Sequence, residues 1–182
     1  MLYKIKKRCR LCNSVNLTKI ENLCNSPLAN NLALTEKDSL KENYFPLNLM
    51  FCTNCKHVQL QHVINANKLY KKYLYMTGVS NQFKIHFQNY AKIALKKFKK
   101  NDNINILEIG SNDCTLLDFF KSTRCKTVGV EPAKNLWQKT KRRHKIINSF
   151  YDKKTNAILM KNYSSFDLIF ANNVFAHIDD LK

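Results

Sequence analysis

Apolar and polar positions change rhythm twice along this chain. Over residues 1 to about 65, short β-like stretches alternate with turn formers such as Asn25-Ser26-Pro27, the pattern of a small, loop-rich module. From about Asn67 to Gly78 the sequence becomes tyrosine-rich, with Tyr70, Tyr73 and Tyr75. A helical period follows. Phe83, Phe87, Tyr90, Ala94 and Phe98 fall on one face, which predicts a helix from the N-cap Ser80 to about Lys100, ended by Asn101-Asp102-Asn103. Beyond that point strand and helix patterns alternate. Strands are expected at 104–109, 126–131, 145–148 and 166–171, with helices near 113–122, 133–144 and 153–162. Such alternation predicts an α/β fold with a parallel, doubly wound sheet. The expected domains are a module over 1–65, a tyrosine-rich linker and amphipathic helix over 66–103, and the α/β part over 104–182.

Composition narrows the function classes. Hydrophobic residues make up 45% of the 182, enough for a real core. No stretch approaches the roughly 18 consecutive apolar residues of a membrane span, and Met1 to Lys7 lacks the apolar core of a signal peptide. The chain reads as cytoplasmic, so Asn16-Leu17-Thr18 and Asn162-Tyr163-Ser164 are idle glycosylation matches. A net charge of +18 invites a basic nucleic-acid-binding reading. The basic residues nevertheless occur in every segment, and the densest runs, Lys96 to Lys100 and Lys139 to Lys145, sit at predicted helix ends where cations suit the dipole. Ordinary solvated faces explain the charge better than a nucleic-acid partner does.

Five of the seven cysteines lie in the first 65 residues. Cys9-x-x-Cys12 and Cys52-x-x-Cys55 are paired CxxC motifs, each able to form a tight knuckle, and two knuckles supply the four sulfurs of a closed, structural zinc site. A disulfide pair and an iron site compete with this reading. Intracellular context argues against the disulfides, and the double spacing favours zinc. Cys24 falls outside both knuckles, and Cys114 and Cys125 read as apolar fillers.

The run from Asn105 to Asp113 is an apolar strand that ends in a turn and opens a helix, and Val128-Gly129-Val130-Glu131-Pro132 follows at strand spacing. In a βαβ unit this turn brings backbone N–H groups to a nucleotide cofactor, and an acidic residue about 20 positions on accepts from the ribose hydroxyls. Glu131 lies at that offset from Gly110, and Pro132 is expected as the first helical residue. The turn has no G-x-G-x-x-G bed for a pyrophosphate. S-adenosylmethionine, which carries ribose and adenine but no phosphate, is the cofactor this favours. Asn172 and Asn173 close the fourth strand, where ligands gather in parallel sheets.

Collinear segments across the chain resemble the bacterial S-adenosylmethionine-dependent sugar C-methyltransferases, which open with a zinc-binding domain. The matching stretches are Cys9-Arg10-Leu11-Cys12, Ser26-Pro27-Leu28-Ala29-Asn30, Tyr44-Phe45-Pro46-Leu47, Cys52 to Leu60, and Tyr73 to Ser80 with His86 beyond. Glu108 to Asp113, Gly129 to Pro132 and Asn172 to Ile178 complete the series. The resemblance implies methyl transfer to a carbon beside a ketone in a nucleotide-linked deoxysugar. It implies a cofactor site from Glu108, Gly110, Asn112, Asp113, Glu131, Pro132 and Asn172, with Glu108 near the methionine amino group. His177 would face the sugar, and Tyr75 lies in the segment that closes over cofactor and sugar.

Two departures stand out. Cys114 and Cys24 occupy positions where the family has glycine. Family members also continue past the fourth strand through a histidine-bearing motif, whereas this chain ends at Lys182. The expectation is therefore an incomplete copy whose base lies in a downstream polypeptide, with a gene fragment, a split protein and an inactive remnant equally open.

Overall fold

The computed structural model describes residues 2–121 and 124–181, which divide into two units, residues 1–70 with 177–182 and residues 71–176. The first unit holds β1 (Tyr3–Ile5), β2 (Leu17–Ser26), α1 (Glu36–Ser39), β3 (Phe45–Cys52), β4 (Val58–Leu60), β5 (His62–Ile64) and α2 (Ala66–Tyr70). Strands β2, β3 and β4 form an antiparallel sheet in that order, and β1 pairs antiparallel with β5. Strand β2 is longer than the short stretches that turn formers suggested. Its pairing with β3 shifts register between Lys19 and Glu21 and again between Asn22 and Asn25. Cys24, within the second shift, has a left-handed backbone at φ 66°. That conformation is free for glycine and strained for a side chain, which gives the family's glycine there a physical reason. Bulges of this kind also twist an edge strand away from foreign partners.

The second unit holds α3 (Asn81–Leu95), β6 (Ile104–Ile109), α4 (Thr115–Asp118), β7 (Cys125–Val130), α5 (Lys134–Thr140), β8 (Lys145–Ile147), α6 (Lys153–Asn162) and β9 (Leu168–Phe170). The four strands form a wholly parallel sheet in the order β8-β7-β6-β9, as the alternation predicted. Ile104 and Ile106 face Phe87, Ala91 and Ala94 of α3 and Leu116, Leu117 and Phe120 of the α4 region. On the opposite face Leu107, Ile109, Val128 and Val130 pack with Leu159 of α6. Strand order reverses between β6 and β9, so the carboxyl ends of these two strands flank the topological switch point, where doubly wound sheets bind ligands.

Helix boundaries depart from the expected ones in informative ways. Ser80 caps α3 as predicted, its Oγ accepting from Phe83 N at 3.3 Å. The helix stops at Leu95, five residues early, because Lys97 and Phe98 switch to tighter bonds to Ala94 and Leu95. Lys92, Lys96, Lys97, Lys99 and Lys100 would stack at helical spacing, and like charges at such spacing oppose continuation. Its buried face is Phe87, Ala91 and Ala94, with Tyr90 at the rim edge-on to Phe170 at 5.1 Å and Phe83 exposed. Helix α4 is a single turn, closed by Phe119 and Phe120 bonding back three residues. Pro132 is not the first helical residue. Glu131 Oε1 accepts from Ala133 N at 2.8 Å, holding 131–133 extended, and α5 begins only at Lys134.

Gly129 on β7 leaves no room for a side chain. A Cβ there would lie 2.5 Å from Ser111 Oγ and 2.8 Å from Ile146 Cδ1. Overpacking a filled core costs about 1–3 kcal/mol, so Gly129→Ala is expected to lower the unfolding free energy of this unit by that amount. Urea unfolding followed by Trp137, the chain's single tryptophan, reads it out; an unchanged midpoint would contradict the packing.

Candidate functional site

The four knuckle cysteines meet at one point. The sulfurs of Cys9, Cys12, Cys52 and Cys55 all lie within 4.8 Å of one another, and the Cys9–Cys55 and Cys12–Cys52 separations are both 3.6 Å. Disulfide sulfurs would be about 2.05 Å apart. Four sulfurs placed about 2.3 Å from a tetrahedral ion are about 3.8 Å apart, so the observed cage is the size of a zinc site. The two knuckles are built alike. Cys9 N donates to Ser14 O and Asn13 N to Cys9 O, just as Cys52 N donates to His57 O and Lys56 N to Cys52 O. Asn13 and Lys56, each one residue past the second cysteine of its motif, both have left-handed backbones, at φ 64° and 66°.

Side chains that sequence reasoning missed support this cage. Gln59 of β4, buried, accepts from Arg10 N at 2.8 Å and donates to Arg8 O at 3.2 Å, fixing the first knuckle. Asn54 donates to Cys12 Sγ at 3.6 Å. Four thiols this close cannot all ionise unaided. The Ser14 backbone N–H, then Asn54, hold the Cys12 thiol down at about 6. At Cys55 the His57 backbone favours the thiolate, but burial and the neighbouring sulfurs push the thiol up to about 12. A divalent cation bound to all four sulfurs would remove that conflict.

The second site lies at the carboxyl ends of the parallel strands. Gly110, at φ 69°, turns the chain out of β6, and a Cβ there would meet Val174 Cγ2 at 2.6 Å. Asn112 and Cys114 are also left-handed, at φ 49° and 63°, so every second residue of this loop adopts the conformation that favours glycine. The sulfur of Cys114 is nonetheless fully buried in the core beside Leu116, Leu117 and Phe120. Burial pushes its thiol up to about 12, as fits an apolar filler.

Glu131 ties the loops together. Its Oε2 accepts from Asn112 N at 2.7 Å while Oε1 holds Ala133 N. Each carboxylate oxygen has a second acceptor position, which leaves Glu131 able to take ribose hydroxyls as well. Glu108 and Asn172 stand at the switch point with open valences. Glu108 Oε2 and Asn172 Nδ2 are buried polar atoms with no partner among the described residues. Glu108 pairs in register with Phe170 on the neighbouring strand, two residues ahead of Asn172. An acceptor and a donor so placed suit the ammonium and carboxylate of an amino acid, which is one end of S-adenosylmethionine; the donor set fits that group.

Burial, then the charges of Asp113 and Glu131, raise the Glu108 carboxyl well above the usual carboxylate range. Burial also raises Glu131, partly offset by its two backbone donors. Three carboxylates therefore converge here in a chain of net charge +18, and the local field favours a cationic ligand.

Asn112 and Asp113 have other partners. Asn112 Oδ1 accepts from Thr77 N at 3.1 Å and its Nδ2 donates to Tyr75 O at 3.1 Å. Asp113 Oδ2 accepts from Gly78 N at 2.7 Å. Tyr75 thus sits on a segment pinned to the loop, its ring edge-on to Tyr73 at 6.5 Å. Pro132 follows Glu131 in the extended stretch before α5. His177, exposed, groups with the first unit, its ring 5.7 Å from that of Tyr70.

Comparison with known proteins agrees with the motifs. The family described as "Putative zinc binding domain" matches residues 9–70. The chain is 26% identical over 174 residues to the C-methyltransferase NovU of Streptomyces niveus, covering 95% of this chain and 41% of that relative. It thus spans about two fifths of the length of the curated relative it matches. These findings bear out the resemblance: the chain is similar to a C-methyltransferase along most of its length, and its N-terminal part matches a zinc-binding domain. No helix among the described residues is long and apolar enough to cross a membrane.

Two outcomes follow from the site geometry. Purified protein should carry close to one zinc per chain, and chelation should unfold the first unit, because structural zinc supplies folding energy directly. Elemental analysis with circular dichroism decides this, and an intact first unit without metal would contradict it. Glu108→Gln should stabilise the ligand-free protein at neutral pH, because the amide cannot ionise where burial disfavours a charge, while weakening binding of S-adenosylhomocysteine. A carboxyl raised in the folded state retains its proton there, so stability falls as pH rises past the ordinary glutamate range. The gain should vanish below that range; equal stability of parent and variant at neutral pH would contradict an unpaired Glu108.

Proposed function

We propose that this chain carries the zinc module and cofactor-binding half of an S-adenosylmethionine-dependent C-methyltransferase acting on a nucleotide-linked keto-deoxysugar. The unpartnered Glu108 Oε2 and Asn172 Nδ2 at the switch point carry the reading, and similarity to a C-methyltransferase supports the reaction class. When bound, the cofactor supplies an electrophilic methyl on a sulfonium. Glu108 takes the ammonium, Asn172 the carboxylate, and Glu131 the ribose hydroxyls, with Gly110 allowing close backbone approach. This fixes the methyl position, and alignment with the attacking carbon is the larger part of the task.

A sugar carbon beside a ketone becomes nucleophilic only once its proton is removed, which needs a base and a partner for the enolate oxygen. Tyr75 is this unit's candidate for the enolate. Among the described residues β9 pairs on one side only, with β6, and Ile169 is exposed on it. An unpaired apolar edge is a template for another strand.

Calorimetry with S-adenosylhomocysteine tests the cofactor site: Glu131→Ala should weaken binding by about 1.5–3 kcal/mol, as for hydrogen bonds to a charged group. Unchanged affinity would mean the pocket is misassigned.

A further inference from the structure

Residues 71–78 contain no regular structure before the single turn of 3₁₀ helix at Thr77–Val79. Their backbone polar groups are satisfied instead by side chains and backbone from the two loops that follow β6 and β7. At the β7 side Lys134 N donates to Lys71 O at 3.2 Å. Asn135 then grips Tyr73 twice, accepting from its N–H at 3.1 Å and donating to its carbonyl at 2.8 Å. Across the gap, Asn112 repeats this two-handed grip on Tyr75 O and Thr77 N, and Asp113 accepts from Gly78 N. Asp113 is itself held, its Oδ1 accepting from Thr115 Oγ1 at 2.6 Å and Thr115 N at 3.2 Å. The fit at Gly78 is tight. A Cβ on Gly78 would lie 2.6 Å from Thr115 Oγ1 and 2.8 Å from Asp113 Oδ2.

The segment is therefore a strap laid from the start of α5 to the start of α4. Both anchoring loops carry cofactor-site residues, Gly110 on one and Glu131 on the other. Each anchor mimics a sheet edge: an amide side chain presents one donor and one acceptor to an extended backbone, as a neighbouring strand would. Asn112 Oδ1 and Asp113 Oδ1 each accept two hydrogen bonds in this arrangement. Their contribution to the cofactor site is through the strap.

We propose that Asn135, Asp113 and Gly78 are positioning residues that clamp residues 71–78 as a wall of the cofactor site and so set the placement of Tyr75. This rests on the cofactor reading given above. Gly78 and Asn135 act at opposite ends of the strap, so matching effects of substitutions at both ends would reflect the strap itself rather than a direct ligand contact at either.

The test uses the full chain, with S-adenosylhomocysteine as the probe. Hydrogen exchange of the Tyr73, Thr77 and Gly78 amides should be slow in the parent and fast in Asn135→Ala and Gly78→Ala. Dissociation constants should rise about tenfold in each variant, the loss of roughly two net hydrogen bonds. Asn135→Asp keeps the acceptor for Tyr73 N–H and should recover part of both effects, whereas a general loss of stability would not track this single bond. Should Gly78→Ala fail to fold, the two Asn135 variants decide the matter by themselves. Strap amides that exchange equally fast in parent and Asn135→Ala would overturn the clamp. So would parent binding with the Asn135→Ala affinity within twofold, leaving the cofactor reading intact. A parent chain that does not bind the probe at all would overturn the cofactor reading, and the proposed wall with it.

Discussion

The two hydrogen bonds accepted by Glu131 hold the rest of the second unit's site in place. One carboxylate oxygen takes Asn112 N and the other Ala133 N, so the turns leaving β6 and β7 are joined through a single buried side chain. The first bond stabilises a loop in which Gly110, Asn112 and Cys114 all have left-handed backbones, a conformation that side chains adopt at a cost. The second delays the start of α5 and leaves Asn135 where it can reach Tyr73. Loop shape, strap position and the open end of β6 all follow from that bridge.

Two sites in this chain crowd acidic groups together in the same electrostatic sense. In the zinc module four thiols converge, and the conflict among them shows in Cys12, held at about 6, and Cys55, pushed to about 12; a metal cation resolves it. At the sheet's switch point three carboxylates converge instead, and burial drives Glu108 far from its ordinary value. Each arrangement is costly when empty and favourable when a positive group arrives, the signature of a binding site rather than of a packing contact. The overall charge of +18 says nothing of either, since it is spread over every segment.

The cysteines that replace glycines also acquire a physical account. Cys24 and Cys114 both stand at positive φ, at a bulge and in the loop after β6 respectively. The strain is local in both cases. At Cys24 the side chain is exposed, and at Cys114 the sulfur fills space in the core instead of pushing α4 outward. Packing accommodates the buried Cys114 side chain, while the backbone cost remains.

Much of this was legible in the order of residues. Strand-helix alternation specified the parallel sheet, because a buried strand and an amphipathic helix have different periods, and Ile104–Ile109 and Lys153–Asn162 appear where the pattern put them. The doubled CxxC spacing pointed to the metal cage, since two such knuckles together supply four sulfurs. The place of Glu131 just past β7 was legible from strand spacing, and Ser80 from its capping chemistry. Other features were decided by tertiary structure. Gln59 and Asn54 reach the cage, and Asn135 reaches Tyr73, across 62 residues of sequence in the last case, without any local pattern to mark them. The early end of α3 and the late start of α5 also depended on neighbours, a run of lysines in one and a captured backbone amide in the other. Periodicity and spacing record what a residue must do along its own element. The partner that a buried amide or carboxylate finds depends on which loops the sheet brings together, and only the folded chain decides that.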